Sequence, residues 1–122
     1  MGRVVDTAVQ RIFPAEYLAT HSDAVGARRA VLEAIVPSAF ADWCRALAMM
    51  DLRSDLEAIA NPTLVIAGEQ DETTPAAMSE ELAGGIPEAE LATIAGCGHC
   101  PQLQQPAALV ELVMSFIGTL RS

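Results

Sequence analysis

The side chains best suited to chemistry fall in two short stretches. Glu69-Gln70-Asp71-Glu72 offers carboxylates, and Cys97-Gly98-His99-Cys100 offers an imidazole between two thiols. A carboxylate that accepts the Nδ1 proton of a histidine fixes its tautomer. It also stabilises the imidazolium formed when the ring takes a proton from a nucleophile. Such a pair moves protons and forms no covalent bond of its own, so it needs a hydroxyl or thiol partner. No metal is expected, because Cys97, His99 and Cys100 are crowded together and no further ligand pair stands at useful spacing.

The elements that must position these residues are legible around them. Pro62 to Gly68 is a continuous apolar run bounded by proline and glycine, which fits a strand buried on both faces of a parallel sheet. Pro75 to Ala83 reads as a helix ended by Gly84-Gly85, and Ala89 to Ile94 as the next strand. This is one βαβ unit. In open α/β sheets, functional groups collect on loops at the carboxyl ends of strands. Neighbouring strands lie about 4.8 Å apart, so loops after them can bring Asp71 and His99 within hydrogen-bond reach. Pro106 opens a last helix with Leu109, Leu112, Val113, Phe116, Ile117 and Leu120 on one face.

Before Asn61 the chain reads as successive helices. Ser22 is placed to cap a helix over Asp23–Val36, and Ser38 to cap a second. Phe40, Trp43, Cys44, Leu47 and Met50 mark a buried stripe on that second helix. Ser54 with Glu57 has the form of a capping box. Glu69 and Glu72 read as solvated loop charges, and His21 as an exposed residue beside a cap. The chain divides into a helical segment over 1–58 and a strand-helix-strand-helix segment over 59–122. Two parallel strands do not make a stable sheet alone, so the fold reads as partial.

Composition narrows the function. With 122 residues, 7 basic against 16 acidic side chains and a net charge of −9, the chain is one acidic domain. Lysine is absent and the pI is near 4.4, which argues against nucleic acid and anionic membranes as partners. A hydrophobic content of 52% and a mean hydropathy of +0.32 suggest apolar surface meant to meet something outside the chain. Arg3, Asp6, Arg11 and Glu16 interrupt the N-terminus too early for a signal peptide. Three cysteines are too few for a disulfide framework, and a cytoplasmic protein is expected.

The stretch Ile59-Ala60-Asn61-Pro62-Thr63-Leu64-Val65-Ile66-Ala67-Gly68-Glu69-Gln70-Asp71, with Thr74-Pro75, Gly98-His99 and Gln105-Pro106, resembles the C-terminal part of an α/β-hydrolase. The lead-in from Phe40 to Arg53 is similar to the cap of 3-oxoadipate enol-lactonases. The resemblance implies a partial α/β-hydrolase fold, a cap plus the last two strands. It assigns Asp71 as triad acid and His99 as triad base, and implies a small-molecule ester or lactone substrate with no cofactor. The family's nucleophile stands in a Gly-x-Ser-x-Gly turn, and these 122 residues contain none. The chain alone is therefore expected to be inactive and to need a complementary N-terminal half or self-association. Trp43 and Arg45 are candidate substrate contacts, with Arg53 as an alternative carboxylate partner to Arg45. Two other readings stay open: a non-catalytic dimeric interaction module, and a thiol redox protein, because Cys97-Gly98-His99-Cys100 resembles the disulfide isomerase tetrapeptide. Against the latter, helical periodicity after Cys100 resumes only near Pro106.

Overall fold

The computed structural model describes residues 2–121. Four helices come first: α1 (Gly2–Ile12), α2 (Ala15–Thr20), α3 (Ser22–Glu33) and α4 (Pro37–Met49). A 3-10 turn over Arg53–Ala58 leads into β1 (Thr63–Gly68), α5 (Ala76–Gly85), β2 (Ala89–Ile94), the short α6 (Pro101–Gln104) and α7 (Pro106–Thr119).

β1 and β2 pair in parallel, with Thr63 opposite Ala89 and Gly68 opposite Ile94. Both strands keep the bounds the apolar pattern suggests, since proline and glycine end the first and Ile86-Pro87 precedes the second. α5 crosses between them and packs on the sheet, making the expected βαβ unit within an α/β fold.

The main core lies elsewhere. Val5, Val9 and Ile12 recur on one side of α1 and, with Phe13 and Cys100, form the buried cluster. Tyr17, Leu18, Val25 and Leu32 of the next two helices close over it. Burying Val5, Val9, Ile12 and Phe13 contributes about 1.5–3 kcal/mol each before entropy is subtracted. Pro14 ends α1 by barring Phe13 from the helical region, and the Phe13 ring stacks on Tyr17 with centroids 5.0 Å apart. Because Cys100 belongs to this cluster, the first helix packs directly against the loop after β2.

Several local expectations are corrected. His21, not Ser22, occupies the cap position of α3, and Val36, not Ser38, that of α4. Neither start carries a side-chain cap bond. At α4, Pro37 sets the boundary because its fixed φ suits the first helical position. Ser54 bonds Asp55 Oδ1 at 3.4 Å inside a 3-10 turn without a side-chain cap, so no capping box forms. The stripe on α4 is open, with Trp43 64% and Met50 57% exposed. Its period is helical, yet among the described residues no element covers Trp43, Leu47 or Met50. α7 is similarly half-covered, with none of its residues fully buried. Among the described residues no helix is long and apolar enough to cross a membrane.

Candidate active site

The chain leaves each strand in a loop that carries one candidate residue, and main-chain bonds hold the two loops together. Glu69 N–H donates to Ile94 O at 3.0 Å and Gln70 N–H to Cys97 O at 2.8 Å. The Glu69 carboxylate accepts the Gly96 N–H at 2.8 Å, so this glutamate ties the loops and is not a purely solvated charge. Gly96 has φ +65°, a left-handed backbone that favours glycine.

These constraints bring the pair together. His99 Nδ1 lies 2.9 Å from Asp71 Oδ2. The Asp71 side chain is 8% exposed and that of His99 36%, so the acid is sheltered and the imidazole reaches the surface. Because a carboxylate only accepts, the contact places the proton on Nδ1 and leaves Nε2 as the free basic nitrogen. No hydrogen bond occupies Nε2 among the described residues. The loop bearing the imidazole is anchored from the first helix, since His99 N–H donates to Ile12 O at 2.9 Å.

Asp71 is held from its other side by its own loop. Its Oδ1 accepts the N–H groups of Thr73 at 2.8 Å and Thr74 at 2.9 Å, an Asx-type turn. Its Oδ2 accepts the Thr74 hydroxyl at 2.8 Å. Burial alone would push the carboxyl upward. The Thr74 N–H, the His99 imidazole, the Thr74 hydroxyl and the Thr73 N–H outweigh it and hold the acid below the ordinary carboxylate range. Asp71 is thus an anion at neutral pH, suited to orient His99.

Among the described residues no hydrogen bond or ion pair joins Trp43 or Arg45 to this pair. Trp43 stands open on α4, and Arg45 is ion-paired with Asp42 on the same helix. Arg53 is likewise engaged by Asp51. An open cleft of about 600 Å³ does adjoin Asp71, walled by Phe13, Pro14, Leu18 and Gln70. Of these, Phe13, Pro14 and Leu18 carry no sequence signal of a site, because the α1 stripe of Val5, Val9 and Ile12 that leads to them reads as core. Thr73 and Thr74 receive no site role from the sequence either, although Thr74-Pro75 is among the residues that carry the resemblance. Their signal is an aspartate two and three residues ahead of two threonines, the second of which stands just before a proline.

The thiols are disposed against redox chemistry. Cys97 is 0% and Cys100 5% exposed, and burial pushes both above the ordinary thiol range, reinforced at Cys97 by its neighbours Cys100 and Asp71. Helix does resume directly after Cys100, at Pro101 and not only near Pro106, but α6 spans only four residues. Both thiols serve as core packing. Among the described residues no cluster of His, Cys, Asp and Glu could hold a metal ion.

Comparison with known proteins extends the picture. The pimeloyl-[acyl-carrier protein] methyl ester esterase of Aromatoleum aromaticum is 38% identical over 98 residues, which are 78% of this chain and 39% of that protein. A hydrolase from Pseudomonas aeruginosa superposes with a TM-score of 0.89 at 33% identity, over 97% of this chain and 44% of that one. Est816, described as an N-acyl homoserine lactone degrading enzyme, superposes with a TM-score of 0.70 at 31% identity, over 88% of this chain and 44% of its own. The chain thus spans less than half the length of each of these relatives. The family model described as alpha/beta hydrolase family matches residues 2–112. With that match running from the first helix through both strands and into the last helix, the chain belongs to the alpha/beta hydrolase family.

Proposed function

We propose that this chain supplies the acid and base of a carboxylic-ester or lactone hydrolase, Asp71 orienting His99 and His99 moving the proton, with the nucleophile contributed from outside these 122 residues. The reading is carried by the 2.9 Å contact between His99 Nδ1 and Asp71 Oδ2, which leaves Nε2 without a partner on a half-exposed ring.

The chemistry runs as follows. A hydroxyl brought to Nε2 gives up its proton as its oxygen bonds the ester carbonyl carbon. His99 then returns that proton to the leaving alkoxide oxygen, and an acyl-enzyme remains. Water, deprotonated by the same nitrogen, then bonds the acyl carbon, and as the acyl–oxygen bond breaks His99 returns the proton to the nucleophile's oxygen and the acid leaves. Asp71 stays ionised throughout and stabilises the imidazolium. No step calls for a metal or organic cofactor.

The substrate class follows from two supports. The cap from Phe40 to Arg53 is similar to that of 3-oxoadipate enol-lactonases, and the Aromatoleum relative is named for a pimeloyl-[acyl-carrier protein] methyl ester. Both names describe an ester formed from a dicarboxylic acid, so we favour a small ester or lactone of such a chain, its acyl part in the cleft beside Phe13 and Leu18. The open faces of α4 and α7 favour a complementary half as the partner that completes the site.

The test is a chimera in which this chain replaces the matching 44% of the Pseudomonas hydrolase, assayed with a p-nitrophenyl ester beside the isolated chain. The chimera is expected to hydrolyse the ester and to lose that activity in His99→Ala. The isolated chain is expected to show only the background rate. A chimera that stays fully active in His99→Ala, or an isolated chain whose hydrolysis depends on His99, overturns the reading.

A further inference from the structure

The loop between β1 and α5 contains a hydroxyl that the proton transfer does not require and that the fold nevertheless fixes in place. Thr74 precedes Pro75, which confines it to extended backbone, and its β-branched side chain has few χ1 choices. Its Oγ1 lies 2.8 Å from Asp71 Oδ2 and 3.3 Å from His99 Nδ1. With the 2.9 Å contact between Nδ1 and Oδ2, the three atoms form a closed triangle.

Donor and acceptor counts say what the triangle does. An ionised carboxylate offers about four acceptor sites. Asp71 fills them with the Thr73 N–H, the Thr74 N–H, the Thr74 hydroxyl and the His99 Nδ1–H. Since Nδ1 carries a proton, the hydroxyl must direct its own hydrogen to Oδ2. Its lone pairs then face the Nδ1–H as a weak second acceptor. Without that hydroxyl, Oδ2 has an open site beside a ring that already reaches solvent, and water is the group that would fill it.

We propose that Thr74 is a positioning residue for the Asp71–His99 pair, its hydroxyl closing the last acceptor site of the carboxylate and keeping water from competing for the oxygen that orients the imidazole. The role is indirect, because the Thr74 hydroxyl acts on the imidazole through the Asp71 carboxylate to which it donates. It rests on the acid–base reading of the pair for its catalytic meaning, but its structural content can be tested separately.

The experiment is nitrogen and proton NMR of His99 in the 122-residue chain, comparing the parent with Thr74→Val, which is nearly isosteric without the hydroxyl, and Thr74→Ser, which keeps it. In the parent, Nδ1 is expected to be protonated and its proton to exchange slowly. In Thr74→Val, that proton is expected to exchange roughly three- to tenfold faster, the effect of one typical net hydrogen bond, while amide shifts remote from the loop stay in place. Thr74→Ser is expected to restore slow exchange. If Val unsettles the loop, Thr74→Ala removes the hydroxyl without new bulk and gives the same readout. Unchanged exchange in both Thr74→Val and Thr74→Ala, or fast exchange in Thr74→Ser, overturns the proposal. In the chimera, Thr74→Val is expected to lower kcat with KM nearly unchanged. A chimera indifferent to His99→Ala would sink the hydrolase reading while leaving the NMR result to decide Thr74.

Discussion

Gly68 and Gly98 meet at the ends of adjacent strands so closely that a Cβ on Gly68 would lie 2.2 Å from the carbonyl oxygen of Gly98. A Cβ on Gly98 would meet Ile12 O at 2.7 Å and Pro14 Cδ at 2.8 Å. The obstacles are mainly backbone, so neither contact is relieved by turning a side chain. The acid loop, the base loop and the end of the first helix therefore approach each other at a distance that only glycine at positions 68 and 98 allows.

Gly68→Ala should push the His99 loop away from β1. The expected loss is about 1–3 kcal/mol, the usual range for overpacking a filled site, read from urea unfolding. His99 should also lose its slowly exchanging Nδ1 proton. A variant with parental stability and an intact Nδ1 resonance would show that the loops have room the structure denies them.

Asp71→Asn preserves shape but offers one fewer acceptor oxygen to four donors, and its amide NH₂ must face at least one of them. The imidazole then gains by moving its proton to Nε2, which removes the free base. In the chimera the ester hydrolysis rate is expected to fall about 10³- to 10⁴-fold, as for loss of the orienting acid in a triad. His99 nitrogen shifts should report the changed tautomer. A rate within threefold of the parent would contradict the role given to Asp71.

The same substitution predicts a pH signature in stability. Asp71 is held below its ordinary range in the fold, so the folded state binds its proton less readily than the unfolded state. The resulting stabilisation is fully present above the unfolded carboxylate pKa of about 3.9 and is lost as pH falls through the lower folded value. The stability difference between parent and Asp71→Asn should be flat from neutrality to mildly acid solution and shrink below it. A difference that grows on acidification would refute the direction.

How much of this could be read from residues alone differs by element. β1 and β2 were legible because proline, glycine and a short apolar run leave little freedom in a parallel strand, and their order put Asp71 and His99 on neighbouring loops. The serine caps were misread because Pro37 and the His21 turn settle helix starts before a hydroxyl is consulted. The stripe through Trp43 and Leu47 has helical period, but period does not say what covers a face. The anchoring of His99 by Ile12 O was beyond sequence reasoning, since a backbone carbonyl leaves no mark in residue type. The Thr74 brace left a mark, an aspartate three residues before a threonine and a proline, that was not read as part of the site.

The three thiols should separate by reactivity toward Ellman's reagent. Cys44 is exposed on α4 while Cys97 and Cys100 are buried and shifted upward by that burial, and the thiolate is the reacting species. One thiol of the three is expected to react promptly in native buffer and the other two only on unfolding. Prompt reaction of Cys97 would restore the redox reading of Cys97-Gly98-His99-Cys100.

Trp43 is the sole tryptophan and is 64% exposed on α4, so its fluorescence reports whether the open helical face acquires a cover. The isolated chain at low concentration should emit like an indole in water and be quenched readily by iodide. Addition of a complementary N-terminal half, the partner proposed for this face, should shift the emission to shorter wavelength and protect it, in step with the appearance of ester hydrolysis. A blue-shifted, protected emission from the isolated chain that relaxes on dilution would instead show the face covered by a second copy. Unchanged emission on gain of hydrolysis would mean that the α4 face lies outside the surface where the two halves meet.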